Sequence, residues 1–313
     1  MSSTNLTVPY AERPSTPTSP TPTAVASYPE PLSPSPTTVT HDMEGSKEHP
    51  KASSSSVEPH EHKGLVCPVT KQTHGFCPAQ QGDSRSPCPA LNTMANHGYI
   101  ARDGRKVSAQ QITNGLKACY GLSSPLAYFL AYVGFIYLSK LGRRMDLFEI
   151  GQHGRVEHNA SLVHHDTPEG DKYAPIEVDP KLVAALVRSD VKPTEKEAEA
   201  SGDEFLLNYE DIARSRVRRE TECRPVDSVH QEIARGEMAI ILGVWEKTAS
   251  GKEGAKKGIP VSWWRTWISE ERLPEGWTPD HVQTMKDVVA RSKAIRAAAD
   301  KIRADAAVSE KEH

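Results

Sequence analysis

Fourteen consecutive residues, 125–138 (PLAYFLAYVGFIYL), carry no charged side chain. A helix that crosses a membrane needs roughly 20 apolar residues. The run is therefore read as a buried core helix, with a role at a membrane surface left open. Ser124-Pro125 supplies its start signal and Gly142 its stop. Aromatic residues make up only 6% of the chain, and regularly spaced β-branched runs are few, which argues against an all-β sandwich.

The other periodic segments agree. Pro89 suits the first helical position behind Cys88, with Leu91, Met94 and Ala95 on one face and Gly98 just past the end. Ser108 and Gln111 form a capping-box pattern ahead of Ile112, Leu116 and Cys119. A short helix is expected over residues 182–187 and a charged one over 204–219. Polar loops fill 151–173. The apolar run 236–244 fits a strand or a buried helix by pattern alone. Helix is preferred, because no second strand of similar quality is there to pair with it. Residues 279–308 carry Val282, Met285, Val289, Ile295 and Ile302 at helical spacing. The predicted fold class is all-α.

Ser, Thr and Pro occupy 25 of the first 40 positions. Such a stretch buries too little apolar surface to offset the entropy of ordering it. The expected organisation is a disordered tail and linker over 1–63, one folded domain over 64–280, and a C-terminal helix with a charged tail over 281–313. A net charge of -3 makes no case for nucleic acid or an anionic membrane as partner. No basic start followed by an apolar run is visible at the N-terminus. An intracellular location with reduced thiols is expected, despite the odd count of five cysteines.

Three of those cysteines precede proline: Cys67, Cys77 and Cys88. Their spacing does not match a CxxC zinc pattern, which argues against a zinc module. Only Cys88 sits at the mouth of a predicted helix. There, backbone N–H groups without intrahelical partners and the positive end of the helix dipole favour a thiolate, the form that ligates metals. Against this stands the plain alternative of a turn dipeptide with a small buried thiol.

The run 84–108 (SRSPCPALNTMANHGYIARDGRKVS) resembles the proximal segment of the fungal haem-thiolate peroxidases, the family of chloroperoxidase and the unspecific peroxygenases. The resemblance implies a single helical domain around haem b, with Cys88 as the axial ligand of its iron. Residues 157–161 (EHNAS) resemble the family's EHD-x-S element, which implies Glu157 and Ser161 as ligands of a Mg or Mn ion. A carboxylate and a hydroxyl suit a hard cation. Asn159 departs from the family's Asp and removes one negative charge. The nearby EGD at 169–171 spells a variant of the motif but lacks the following Ser, so 157–161 is preferred.

The resemblance also implies a distal acid-base Glu at the start of an apolar segment that precedes a Trp-Trp element. Glu237 fits, ahead of 261–277 (VSWWRTWISEERLPEGW), with His158 as its partner. Flanking Met238, Ala239 and Ile240 predict a partly desolvated carboxylate. Arg219 matches the family's Arg after the central helix, and reads equally as a structural ion-pair residue.

The implied function is oxidation of a small organic substrate, aromatic or polyketide-like, by hydrogen peroxide, as in fungal secondary metabolism. One alternative is a haem-binding protein with little turnover, sensing haem through its Cys-Pro pairs. Another is a scaffold protein that uses the Ser/Thr/Pro tail as an interaction arm.

Overall fold

The computed structural model describes residues 58–189, 206–251 and 254–309. The Ser/Thr/Pro-rich stretch lies outside them. Helices α1 (Pro89–Asn96), α2 (Ala109–Tyr120) and α3 (Ser124–Tyr137) form one group; α4 (Pro180–Ser189), α5 (Tyr209–Glu222), α6 (Ser228–Trp245), α7 (Val261–Glu270) and α8 (Met285–Ser309) form the rest. The all-α class is correct. α2 lies along α3, and α8 lies along both α5 and α6.

Local signals place most of these helices. The capping box of Ser108 and Gln111 is present, and α2 ends at Gly121, whose φ of 68° is left-handed. A Cβ there would sit 2.6 Å from the His281 carbonyl oxygen, so only glycine lets the two segments meet. Residues 236–244 are helical within α6. The α6 tryptophan, Trp245, gathers Tyr120, Trp263, Trp267 and Trp277 around it, with ring centroids 4.3–6.4 Å apart. Four of the five tryptophans thus meet at one point of the core.

Four expectations need correction. The apolar helix α3 buries only one face, through Leu126, Ala127, Ala131 and Phe135, while Phe129 and Ile136 are about half exposed. It ends before Gly142: Ser139 takes a positive φ of 56°, and the Lys140 amide reaches back to the Phe135 carbonyl, a Schellman ending made with serine. α5 starts at Tyr209 rather than 204, capped by Asn208. α8 starts at Met285 rather than 279, because the backbone of Gln283 pairs with Gly121 and Ser123 instead.

A small antiparallel sheet, unforeseen in the sequence, runs in the order β1 (Leu206–Leu207), β3 (Gly254–Pro260), β2 (Lys247–Gly251). Lys247 faces Gly258 and Leu207 faces Ile259. The hairpin residues are largely Lys, Gly, Ala and Ser, so no alternating pattern announced them.

Candidate active site

Cys88 is the N-cap of α1, extended at φ −93° and ψ 105°, with Pro89 next. The turn ahead of it is shaped by one buried side chain. Asn92 Oδ1 accepts from the Ser86 amide at 2.9 Å, and its Nδ2 donates to the Ser86 carbonyl at 2.7 Å and to Glu271 Oε1 at 2.5 Å. Ser86 Oγ in turn accepts from the Cys88 amide at 3.2 Å. Cys88 makes no side-chain capping bond, which leaves its sulfur available to a ligand.

Burial pushes the Cys88 thiol up to about 11; the Leu91 and Ala90 amides pull the other way, while the Glu237 and Glu271 carboxylates add to the rise. The helix mouth alone does not hold a thiolate here, which corrects the electrostatic expectation. Desolvation outweighs the dipole, and a bound metal cation is what would reverse the balance.

The loop carrying His158 meets α6 across a short gap: His158 Nε2 lies 3.5 Å from Glu237 Oε2. The other ring nitrogen is 2.7 Å from the Asn159 carbonyl, so Nδ1 carries a proton and Nε2 is the atom turned to the carboxylate. Burial, the largest influence, works against a charged His158, but the Glu237 contact and the Asn159 carbonyl prevail and the pKa is raised. Glu237 itself is 51% exposed. The expectation of desolvation fails because sequence neighbours on a helix point to different faces: Met238 and Ala239 enter the core, and Glu237 does not.

Two arginines of α5 hold the 157–161 loop. Arg216 Nη1 donates to the Ala160 carbonyl at 2.7 Å, and Arg219 Nε to the Ser161 carbonyl at 2.8 Å. Asp166 Oδ1 accepts from the Ala160 amide at 2.8 Å, and Ala160 has a φ of 61°. Arg219 is therefore a positioning residue for this loop.

Glu157 and Ser161 already have partners. Glu157 Oε2 is 2.6 Å from His153 Nδ1, and Oε1 accepts from Thr167 Oγ1 at 3.3 Å. Ser161 Oγ accepts from the Val163 and His164 amides. Between them Asn159 Oδ1 is buried with no hydrogen-bond partner, an oxygen that a bound group could satisfy. Residues 169–171 form an exposed turn.

Sequence reasoning missed Asn92 and Glu271, which lie 179 positions apart and carry no local pattern. It read Cys67 and Cys77 only as Cys-Pro pairs and missed their histidine neighbours. Both are fully buried beside His60 and His62, which leaves their thiols no open face for reversible haem capture.

A buried thiol at a helix mouth, met by the Leu91 and Ala90 amides and within electrostatic reach of Glu237, is a donor of the kind that suits a haem iron. Comparison with known proteins agrees. The family described as "Peroxidase, family 2" matches residues 74–282. The chain is 25% identical to a chloroperoxidase of Leptoxyphium fumago over 78% of its own length and 67% of that protein's. It is 28% identical to an aromatic peroxygenase of Cyclocybe aegerita over 34% of its length and 33% of the relative. It is 40% identical to the dothistromin biosynthesis peroxidase dotB of Dothistroma septosporum over 21% of its length and 16% of the relative. The chain belongs to peroxidase family 2, a family of haem-dependent oxidoreductases.

Proposed function

We propose that the protein is a haem-thiolate peroxidase or peroxygenase that uses hydrogen peroxide to oxidise a small organic molecule, aromatic or polyketide-like, in fungal secondary metabolism. The names of the chloroperoxidase, the aromatic peroxygenase and the dothistromin biosynthesis peroxidase support the reading. The observation that carries it is the 3.5 Å approach of His158 to Glu237, with Glu237 close enough to Cys88 to influence its thiol.

Haem, when bound, supplies the redox chemistry with peroxide. In this reading Cys88 would hold the iron through its sulfur, as the thiolate. Pro89 and the Asn92–Ser86 bonds keep the sulfur at the helix mouth. The Glu237 carboxylate takes a proton from one peroxide oxygen and returns it to the other. The side chain is half exposed, and His158 Nε2 stands 3.5 Å from its Oε2. Arg216 and Arg219 act through the loop, keeping His158 beside Glu237.

A Mg or Mn ion at Glu157 and Ser161 is a further part of the proposal. The ion would displace His153 from the Glu157 carboxylate and the Val163 and His164 amides from Ser161 Oγ, with the unpartnered Asn159 Oδ1 a third hard oxygen of the same loop. Manganese titration followed by paramagnetic resonance tests it; binding unchanged by Glu157→Gln would remove the assignment.

The decisive experiment is haem quantitation of the purified full chain with spectroscopy of the reduced carbon monoxide form. A Soret band at the thiolate position, lost in Cys88→Ala, is expected, together with peroxide-dependent oxidation of a panel of small aromatics. A haem spectrum indifferent to Cys88→Ala would overturn the ligand assignment.

A further inference from the structure

Residues 58–83 contain no helix or strand, yet several of their side chains are wholly buried. Loops of this length without regular structure need something to hold them. Four side chains converge at one point. His60 Nε2 is 3.5 Å from both Cys67 Sγ and Cys77 Sγ, His62 Nε2 is 3.3 Å from Cys77 Sγ, and all four donor atoms lie within 4.8 Å of one another. His62, Cys67 and Cys77 are buried and His60 is half-buried.

The three nitrogen–sulfur distances are those of a metal cage, and the four donor atoms need close in by no more than about 1 Å. Zinc bonds of about 2.3 Å to sulfur and about 2.05 Å to nitrogen, at tetrahedral angles, put neighbouring donor atoms roughly 3.3–3.8 Å apart. The observed nitrogen–sulfur edges are 3.3 and 3.5 Å. Two imidazoles with two thiolates and no open position describe a structural zinc site rather than a catalytic one.

The surrounding contacts are those that metal-bound histidines require. His62 Nδ1 is 2.7 Å from Asp83 Oδ2, and His60 Nδ1 is 2.7 Å from the Glu58 carbonyl oxygen. Each contact places the proton on Nδ1 and turns the lone pair of Nε2 inward, toward the sulfurs. The Thr70 amide points at Cys67 Sγ from 3.4 Å, as amides do toward a ligating thiolate. Buried cysteines alone would need none of this, and two imidazole lone pairs facing thiols gain little without an ion between them.

We propose that His60, His62, Cys67 and Cys77 bind one zinc ion, which pins residues 58–83 onto the helix whose N-cap is Cys88. The connection to that helix is direct. Asp83, the partner of His62, is 3.4 Å from Arg85 Nη2, and Arg85 Nη2 donates to Asn96 Oδ1 of α1 at 2.7 Å. The Cys77 amide donates to the Asn96 carbonyl at 3.0 Å. Arg102, fully buried, bonds the carbonyls of Leu65, Thr73 and Gly75 on one side and Asn96 on the other. Binding converts two thiols to thiolates and releases their protons to solvent. The 67–77 spacing gave no CxxC signature because the partners are histidines lying before the first cysteine.

The test is elemental analysis of the purified full chain. About one zinc per chain is expected, retained in Cys223→Ser and lost in Cys67→Ser, Cys77→Ser and His62→Ala. Should those variants fail to fold, X-ray absorption at the zinc edge of the wild-type protein decides. Two sulfur and two nitrogen neighbours support the site, and a shell of oxygen and nitrogen alone overturns it. Absence of zinc with a Cys67–Cys77 disulfide found by peptide mass mapping would also overturn it, as would zinc retained in Cys77→Ser.

Discussion

Asn92 of α1 donates its Nδ2 to Glu271 Oε1 at 2.5 Å, just beyond the end of α7. Glu271 adopts a left-handed φ of 48° to be there, and its carbonyl oxygen accepts from Asn96 Nδ2 at 3.2 Å. His97 adds a third tie by accepting from the Leu273 amide at 3.1 Å. The helix that presents Cys88 is thus held by the segment following the tryptophan-rich helix. Asn92→Ala removes the partner of both the Ser86 amide and the Ser86 carbonyl, so a loss of about 1–3 kcal/mol is expected in chemical unfolding. Retention of haem should fall with it.

Glu271 titrates above the ordinary carboxylate range because it is buried, despite the Asn92 bond and the nearby Arg85 guanidinium. Its native pKa exceeds its unfolded one. Its contribution is therefore complete below the unfolded value and is lost as pH rises through the native value. Glu271→Gln keeps the acceptor oxygen and stays neutral. Calorimetric melting should show the variant gaining on the wild type as pH climbs through that window, with the difference vanishing in acid.

The His158–Glu237 pair makes a prediction of the same sign at higher pH. The native His158 pKa is raised, so the pair stabilises fully below about 6.5, the unfolded value, and its contribution fades as pH rises through the native value. The melting temperature of His158→Gln should approach that of the wild type across this range. In the proposed mechanism Glu237→Gln should lower peroxide turnover by roughly 10²–10⁴-fold while leaving the haem spectrum in place. Unchanged turnover would remove Glu237 from the acid-base role.

Cys88 offers a chemical test. With its thiol pushed up to about 11 by burial, the haem-free protein should react only slowly with iodoacetamide at neutral pH at this position, measured by peptide mass mapping. Rapid alkylation at pH 7 would contradict the electrostatics described above.

Arg102 is 0% exposed and its guanidinium serves backbone carbonyls alone, at 2.7–3.3 Å. Arg102→Ala would strip these carbonyls of their donor at a cost of about 3 kcal/mol or more. Arg102→Lys should restore only a fraction, because an ammonium cannot span both sides of the loop. Urea unfolding measures both.

Much was legible in the residues themselves. Helix starts written in side chains, such as Ser108 with Gln111 or Cys88 with Pro89, were readable because capping is a contact between near neighbours. The same holds for the Cys88 motif and for the order of the His158 and Glu237 segments. What only the tertiary structure decided depends on contacts across long separations. The extent to which α3 is covered depends on which helices lie against it, not on its own apolar run. Glu237 stays open because α6 turns Met238 and Ala239 inward. Cys67 and Cys77 became partners of His60 and His62 because the Arg102 and Arg85 side chains draw the loop into place. Hydrophobic periodicity records which face of an element prefers to be buried; it holds no record of which polar groups the folded chain will bring together.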